Sequence, residues 1–401
     1  MKTEPTLGSG EHPPALMNNP SLWVIAVLLA FPSTGFVQKY TGVAGVAAYV
    51  AVAVVLVFLS VWLTSRFSPL LNRHFKRLAI LSVAGLAVSF VVLHPFEDSR
   101  GPGKSSDRDE GLEMATGLLA KGETPYYTSN RTAGPLSVLP GSIFLATPFV
   151  VIGKVGLQNV FWLAVFLFAA AAYFRDKAFA MWALAVPLVL SEAALYEFIS
   201  GGDLIANGIY VAVFFLFALN RCEDPKTPAW QRWLSCILVG VGLASRANFL
   251  LLLPLFGAAL WRTVGWRVAV GGCLLTTLTT AAITLPFYLN DPEGFSPLRS
   301  RGKLGFADET LPWAGTSIIG LTIVVSCLGA LWLLLRRGND HKEEFFRCCT
   351  AITITPLIGA VFLSSWIAGA PDFGITSDRF GLMYVCFALL GWGKAVSTFR
   401  A

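Results

Sequence analysis

From Val43 to Thr64 the chain reads VAGVAAYVAVAVVLVFLSVWLT, without one charged side chain. About 20 apolar residues is what a helix needs to cross the hydrocarbon core of a bilayer. In lipid every backbone amide must be bonded within the protein, which leaves helices or a closed barrel. Barrel strands alternate apolar and polar residues with a period of two, and these runs do not alternate. Comparable stretches recur along the whole sequence. Charged residues make up only 13% of it, against about a quarter in soluble domains. The chain is therefore expected to be an all-α polytopic membrane protein.

Hydrophobic length and breakers predict about 12 transmembrane helices, at 20–36, 43–64, 78–95, 157–173, 178–199, 203–220, 231–244, 247–262, 267–288, 312–335, 347–367 and 379–397. Lys and Arg in short loops mark the cytoplasmic side. The segment SRFSPLLNRHFKR (65–77) carries four basic residues and no acid. Counting on from it puts 174–177, 220–232, 261–267, 336–347 and the C-terminus on the same side. The net charge of +6 thus belongs to cytoplasmic loops, not to a nucleic-acid surface. The seven cysteines fall in spans or in loops placed inside, so no disulfide framework is implied. Residues 1–20 lack a basic n-region and an apolar h-region, and the first span would be its own signal. One apolar segment, 135–153, would invert every later loop if it crossed. It is expected to dip into the outer leaflet and return.

The longest polar gap, 96–156, lies on the outer side in this scheme. Between Glu97 and Glu123 it holds seven carboxylates. As local structure, Ser106 would cap a helix with Asp107, Asp109 and Glu110 in its first turn, where acids offset the macrodipole. Leu112, Ala115 and Leu119 give it an apolar stripe, and Gly122 stops it. That describes an amphipathic helix at the membrane surface. A cap and a dipole do not require so many acids.

The order of parts is a span, then DRDEG (107–111), a helix, GETPY (122–126) and GPL (134–136). It resembles the GT-C glycosyltransferases, in the branch of protein O-mannosyltransferases and lipid A aminoarabinose transferases. The closely matching part covers about 50 residues and continues weakly through SGGDLIANG, SRANFLLLLP and LPFYLNDPEGF. The resemblance implies a membrane catalytic domain, 78–401, with external loop 96–156, preceded by two extra spans and a basic cytoplasmic loop, 1–77. It implies transfer of a sugar from a polyprenyl-phosphate donor to a glycan, lipid or protein acceptor on the non-cytoplasmic face. The setting would be a prokaryotic inner membrane.

The family's catalytic base maps onto Asp109, with Glu110 beside it. Asp107 is the nearest competitor; Glu97 and Asp98 are weaker ones. The family's second acidic position maps onto Asp203, whose alternative is a plain helix N-cap. Cations that could hold the departing phosphate are Arg246 and Arg379, while Arg299, Arg301 and Lys303 read better as snorkelling to headgroups. The family's lysine position falls on Ala133, which leaves Arg131 to supply that charge. The four histidines are scattered, so no metal box is present, and a divalent cation held by carboxylates is the one cofactor such a cluster would admit. Two rival readings are a transporter or flippase for lipid-linked or anionic solutes, and an inactive member of the enzyme family.

Overall fold

The structure, a computed structural model, describes residues 18–99, 106–126, 136–299, 311–336, 338 and 340–398. Among them are helices and turns and no strand. Among the described residues, eight stretches are long and apolar enough to cross a membrane, or nine if one sharply bent pair counts as a single span. The protein is a multi-pass helical membrane protein.

The first of these stretches, Pro20–Arg66, would be about 70 Å long if straight, more than twice a hydrocarbon core. It is not straight. Helices α1 (Pro20–Ala30) and α2 (Thr34–Arg66) meet at a 3-10 turn, and Gly42 breaks α2 with φ +71°. Trp23 packs edge-on against Phe58 with ring centroids 4.9 Å apart, so the chain doubles back as a hairpin. The next helix, α3 (Ser68–Asp98), begins after the single residue Phe67. The basic stretch 65–77 breaks at Phe67 and again at His74, with a short helical segment between, so the expected connection is a pair of kinks rather than an open loop. Ser68-Pro69 supplies a proline for the first turn, where its missing N–H costs nothing.

Helix α4 (Arg108–Ala120) buries Leu112 and Ala115, with Leu119 packed at the margin, as the apolar stripe predicted. It ends where Gly122 adopts φ +75° and Glu123 N–H returns to the Leu118 carbonyl. Its stripe meets α5 (Pro140–Val151) around Ile143 and Ala146. At 12 residues α5 is about 18 Å long, too short for a core of about 30 Å. Leu139 N–H bonds the Ser245 carbonyl at its start, and Gly156 lies against Gly201 just past its end. Both contacts are at the same end of the bundle, so this segment enters and leaves on one side.

Helices α6 (Leu157–Phe174), α7 (Lys177–Leu190) and α8 (Glu192–Ile199) follow. The expected span 178–199 is broken at Ser191, where α7 and α8 meet at 91°. Two hydroxyls hold the corner: Ser33 Oγ accepts from Ala193 N–H at 3.1 Å and Ser191 Oγ from Ala194 N–H at 3.3 Å. Helix α9 (Leu204–Glu223) is the central post, buried on nearly every side. Helices α10 (Ala229–Leu243), α11 (Leu253–Val264) and α15 (Leu382–Thr398) pack against it, and α12 (Trp266–Asn290), α13 (Ala314–Leu335) and α14 (His341–Ala368) pack outside these.

The basic connections collect at one end. Asn72 accepts from Ala178 N–H at 3.2 Å, Glu223 pairs with His341 and Lys342, and Arg262 pairs with Glu344. Asn19 Nδ2 reaches the Ala395 carbonyl there as well. The ends of α3 and α5, the starts of α4 and α9, and the α14–α15 connection lie at the other end.

Candidate active site

Asp109 occupies the first turn of α4, yet its side chain turns inward and the residue is only 7% exposed. It lies against the backbone of Gly201. Gly201 has φ +71°, and a Cβ there would sit 3.3 Å from both Cβ and Oδ2 of Asp109. The glycine thus serves both a turn that L side chains rarely adopt and the space Asp109 occupies. Burial raises the Asp109 pKa from 3.8 to about 7, opposed by the backbone amides of Glu110 and Asp109 and helped by the nearby Glu110 and Glu113 carboxylates. Its Oδ1 is buried with no hydrogen-bond partner, and its Oδ2 lies 3.6 Å from His94 Nε2.

Two buried ion pairs stand at the same end. In the first, Arg246 Nη2 lies 2.5 Å from Asp203 Oδ2, and Arg246 Nη1 donates to Ser137 Oγ at 3.1 Å. Asn207 Nδ2 donates to the same carboxylate oxygen at 2.7 Å, and Arg108 Nη1 approaches Oδ1 at 3.7 Å. Burial pushes the Asp203 carboxyl up, but Arg246, Arg108 and the two hydrogen bonds outweigh it and hold the pKa below its ordinary value. Asp203 is thus an ionised anchor, not a proton donor. Although it stands at the N-cap of α9, its side chain makes no capping bond, so the plain-cap alternative fails.

In the second pair, Arg379 Nη1 lies 2.8 Å from Glu197 Oε2, and Glu197 is fully buried. Glu197 Oε1 also accepts from Leu204 N–H, so this residue, seven positions away, binds the amide at the start of α9. Arg379 donates to Ser200 Oγ and Ser106 Oγ, both at 3.1 Å, and lies over the Tyr196 ring. Ser106 does not cap α4. Its hydroxyl is turned toward Arg379, and the N-cap is Asp107, half-buried and making no side-chain cap bond.

Of the residues singled out from sequence, Asp109, Asp203, Arg246 and Arg379 come together at one end of the bundle, all buried. Glu110 and Asp98 are exposed, and Glu110 does not join Asp109. Glu97 is buried and accepts from Tyr196 OH at 2.6 Å. Arg131, Ala133, Arg301 and Lys303 lie outside the described residues. Sequence reasoning passed over Glu197 and Arg108 and gave His94 no role beyond its place among four scattered histidines. The available signal for Glu197 was a carboxylate within an apolar span, which in a membrane is functional by default. Among the described residues no group of three His, Cys, Asp or Glu side chains is placed to hold a metal ion.

Comparison with known proteins returns no match: no family model, no curated protein and no solved structure aligns with the chain.

The geometry places a buried carboxyl with a pKa near neutrality at the same end as two guanidinium groups, each paired with a buried carboxylate side chain. Arg246 keeps Nε buried and unbonded, so its donors are not exhausted. Such a site can accept a proton and favour an anion.

Proposed function

We propose that the chain is a GT-C-type glycosyltransferase that moves a sugar from a polyprenyl-phosphate donor to an acceptor hydroxyl. The twelve predicted spans would be the hairpin arms on either side of the Gly42 break (20–41 and 43–66), α3, α6, the bent pair α7–α8, α9, α10, α11 with its preceding 3-10 turn, and α12 to α15. With the basic end in the cytoplasm, both termini lie inside and the Asp109 end faces out. The setting is a prokaryotic inner membrane.

The observation that carries this reading is Asp109: a buried carboxyl, raised to about 7, with one oxygen unpartnered. A first-turn helix acid needed only for the macrodipole would stay in solvent, as Glu110 does. A general base works best with a pKa near the operating pH. In the reaction, the acceptor oxygen bonds to the anomeric carbon as its proton passes to Asp109. The bond from that carbon to the phosphate oxygen breaks, and the electron pair leaves with the polyprenyl phosphate. The sugar carries oxocarbenium character in between. Arg246 and Arg379 stabilise the charge arriving on the phosphate, and Asp203 and Glu197 hold them in place.

Mass spectrometry of envelope glycans and lipids, in cells with and without the chain, tests the activity. The expected result is a loss of one sugar from one glycan, lipid or protein species, restored by the wild type and not by Asp109→Asn. Restoration by Asp109→Asn, or no difference in any species, overturns it.

A further inference from the structure

Arg379 has φ +65°, in the left-handed region that residues with a Cβ rarely occupy. Such a conformation persists only where its surroundings over-determine it. Much of what surrounds it comes from the first arm of the N-terminal hairpin, at residues 33–38, just before the Gly42 break. Gln38 holds the α14–α15 connection through both ends of its amide. Its Nε2 donates to the Pro371 carbonyl and its Oε1 accepts from Phe373 N–H, each at 2.6 Å. Gly35 N–H donates to Thr376 Oγ1, also at 2.6 Å. A Cβ at Gly35 would fall 2.5 Å from the Phe373 oxygen and 2.6 Å from Ser377 N, so glycine is what lets the two chains touch. Arg379 N–H in turn donates to the Thr376 carbonyl at 3.0 Å.

The same stretch of the arm reaches the partners of the guanidinium. Ser33 Oγ accepts from Ala193 N–H at the start of α8. Phe36 packs edge-on against Tyr196, with ring centroids 5.8 Å apart. The Arg379 guanidinium lies 4.8 Å from the centroid of that Tyr196 ring, and its ion-pair partner Glu197 is the next residue of α8. One short segment thus holds Arg379 from the side of its backbone and α8 from the side of its carboxylate and ring.

We propose that Gln38, Gly35 and Phe36 of the N-terminal hairpin are positioning residues that set the Arg379 guanidinium in the site. The proposal goes beyond the enzyme reading and rests on it only for what Arg379 does there to a donor phosphate. The hairpin, which the sequence resemblance leaves as an addition ahead of the catalytic domain, then belongs to the site itself. The physical gain is preorganisation. A guanidinium on a long stem loses rotamer freedom when it is held. Held before a phosphate arrives, it does not lose that freedom again on binding. Arg246 is fixed instead by Asp203 and Ser137, and so serves as an internal control.

Phenylglyoxal modification of the purified full chain, mapped by peptide mass spectrometry, reports how accessible each arginine is. Arg379 and Arg246 are both buried and should react slowly in the wild type. Gln38→Ala removes two hydrogen bonds at a half-buried position. Arg379 should then react about 5- to 100-fold faster, the effect of that loss on a local opening equilibrium. Arg246 should keep its wild-type rate. Thr376→Val removes the acceptor of Gly35 N–H from the other side of the joint and should act in the same way. It keeps the test decisive if Gln38→Ala fails to fold. An Arg379 rate that stays unchanged, or that rises in step with Arg246, overturns the proposal, because the hairpin would then be a general support. Transfer assays with polyprenyl-phosphate sugars separate the proposal from the reading beneath it. There kcat/KM for the donor should fall in Gln38→Ala, and the substitution should be silent once Arg379→Gln is present. Selective loosening of Arg379 in a protein that turns over no donor leaves the positioning role standing and fells the enzyme reading. Transfer that Gln38→Ala lowers equally with and without Arg379→Gln leaves the enzyme reading standing and fells the positioning role.

Discussion

Replacing Asp109 with asparagine should make the protein more stable and less active at once. The stability half follows from burial. Asp109 is raised from 3.8 to about 7, so over that interval the unfolded chain has already released a proton that the folded chain still holds. At about 1.4 kcal/mol per pH unit, the gap corresponds to up to about 4 kcal/mol of folding free energy. The sign is that of a raised group. Its contribution is fully present below the unfolded value and is lost as pH rises through about 7. Above that it stays lost, because both states are ionised. The amide side chain of Asp109→Asn has no such titration, keeps nearly the same size, and can still accept from the amides at the start of α4. Thermal midpoints of the two proteins in the same detergent, taken at intervals from pH 4 to 9, give the comparison. The variant's advantage should grow from pH 4 to about 7 and then level. A difference that is constant across this range would mean that Asp109 is solvated, and both the burial argument and the choice of base would fail with it.

Other outcomes follow from single contacts. Arg246→Ala strands the buried Asp203 carboxylate and should cost about 3–5 kcal/mol; Arg246→Ala with Asp203→Asn should recover part of that, read from detergent-solubilised yield and melting. Gly201→Ala must place a side chain at φ +71° with its Cβ 3.3 Å from Asp109, so it should cost about 1–2 kcal/mol in backbone strain and lower transfer more than it lowers expression. Orientation is read with an impermeant thiol reagent on single cysteines at the exposed positions Asp98 and Lys226. Asp98→Cys should label from outside and Lys226→Cys should not; the reverse pattern would turn the protein over.

The start of α4 was legible because its signals are local: a cluster of acids, an apolar stripe at helical spacing, and a glycine stop all lie within about 20 residues. Asp203, Arg246 and Arg379 were found as charges at span ends, where the cost of burying them draws attention. Their partners were not. Arg379 meets Glu197, 182 positions away in sequence, and His94 meets the carbonyl of Ile199 across a corner whose cause is two serines on different helices. A hydrophobicity pattern can flag Glu197 as a carboxylate in an apolar span, but it does not say which residue meets it. The same limit explains Ser106, which reads as a helix cap until the arginine that binds it is in view. The stretch 65–77 reads as a connection from its Lys and Arg, and the chain does break there, at Phe67 and His74, although the residues between are helical.

The central claim is that Asp109 accepts the acceptor's proton during sugar transfer, and the direct measurement is donor-dependent release of polyprenyl phosphate by the purified protein. Wild type, Asp109→Asn and Asp107→Asn are compared with a panel of polyprenyl-phosphate-linked hexoses and pentoses, at equal protein and equal donor binding. The account predicts acceptor-dependent release by wild type, a loss of about 10²–10⁴-fold in Asp109→Asn, and a much smaller loss in Asp107→Asn. Release by Asp109→Asn at the wild-type rate would contradict it.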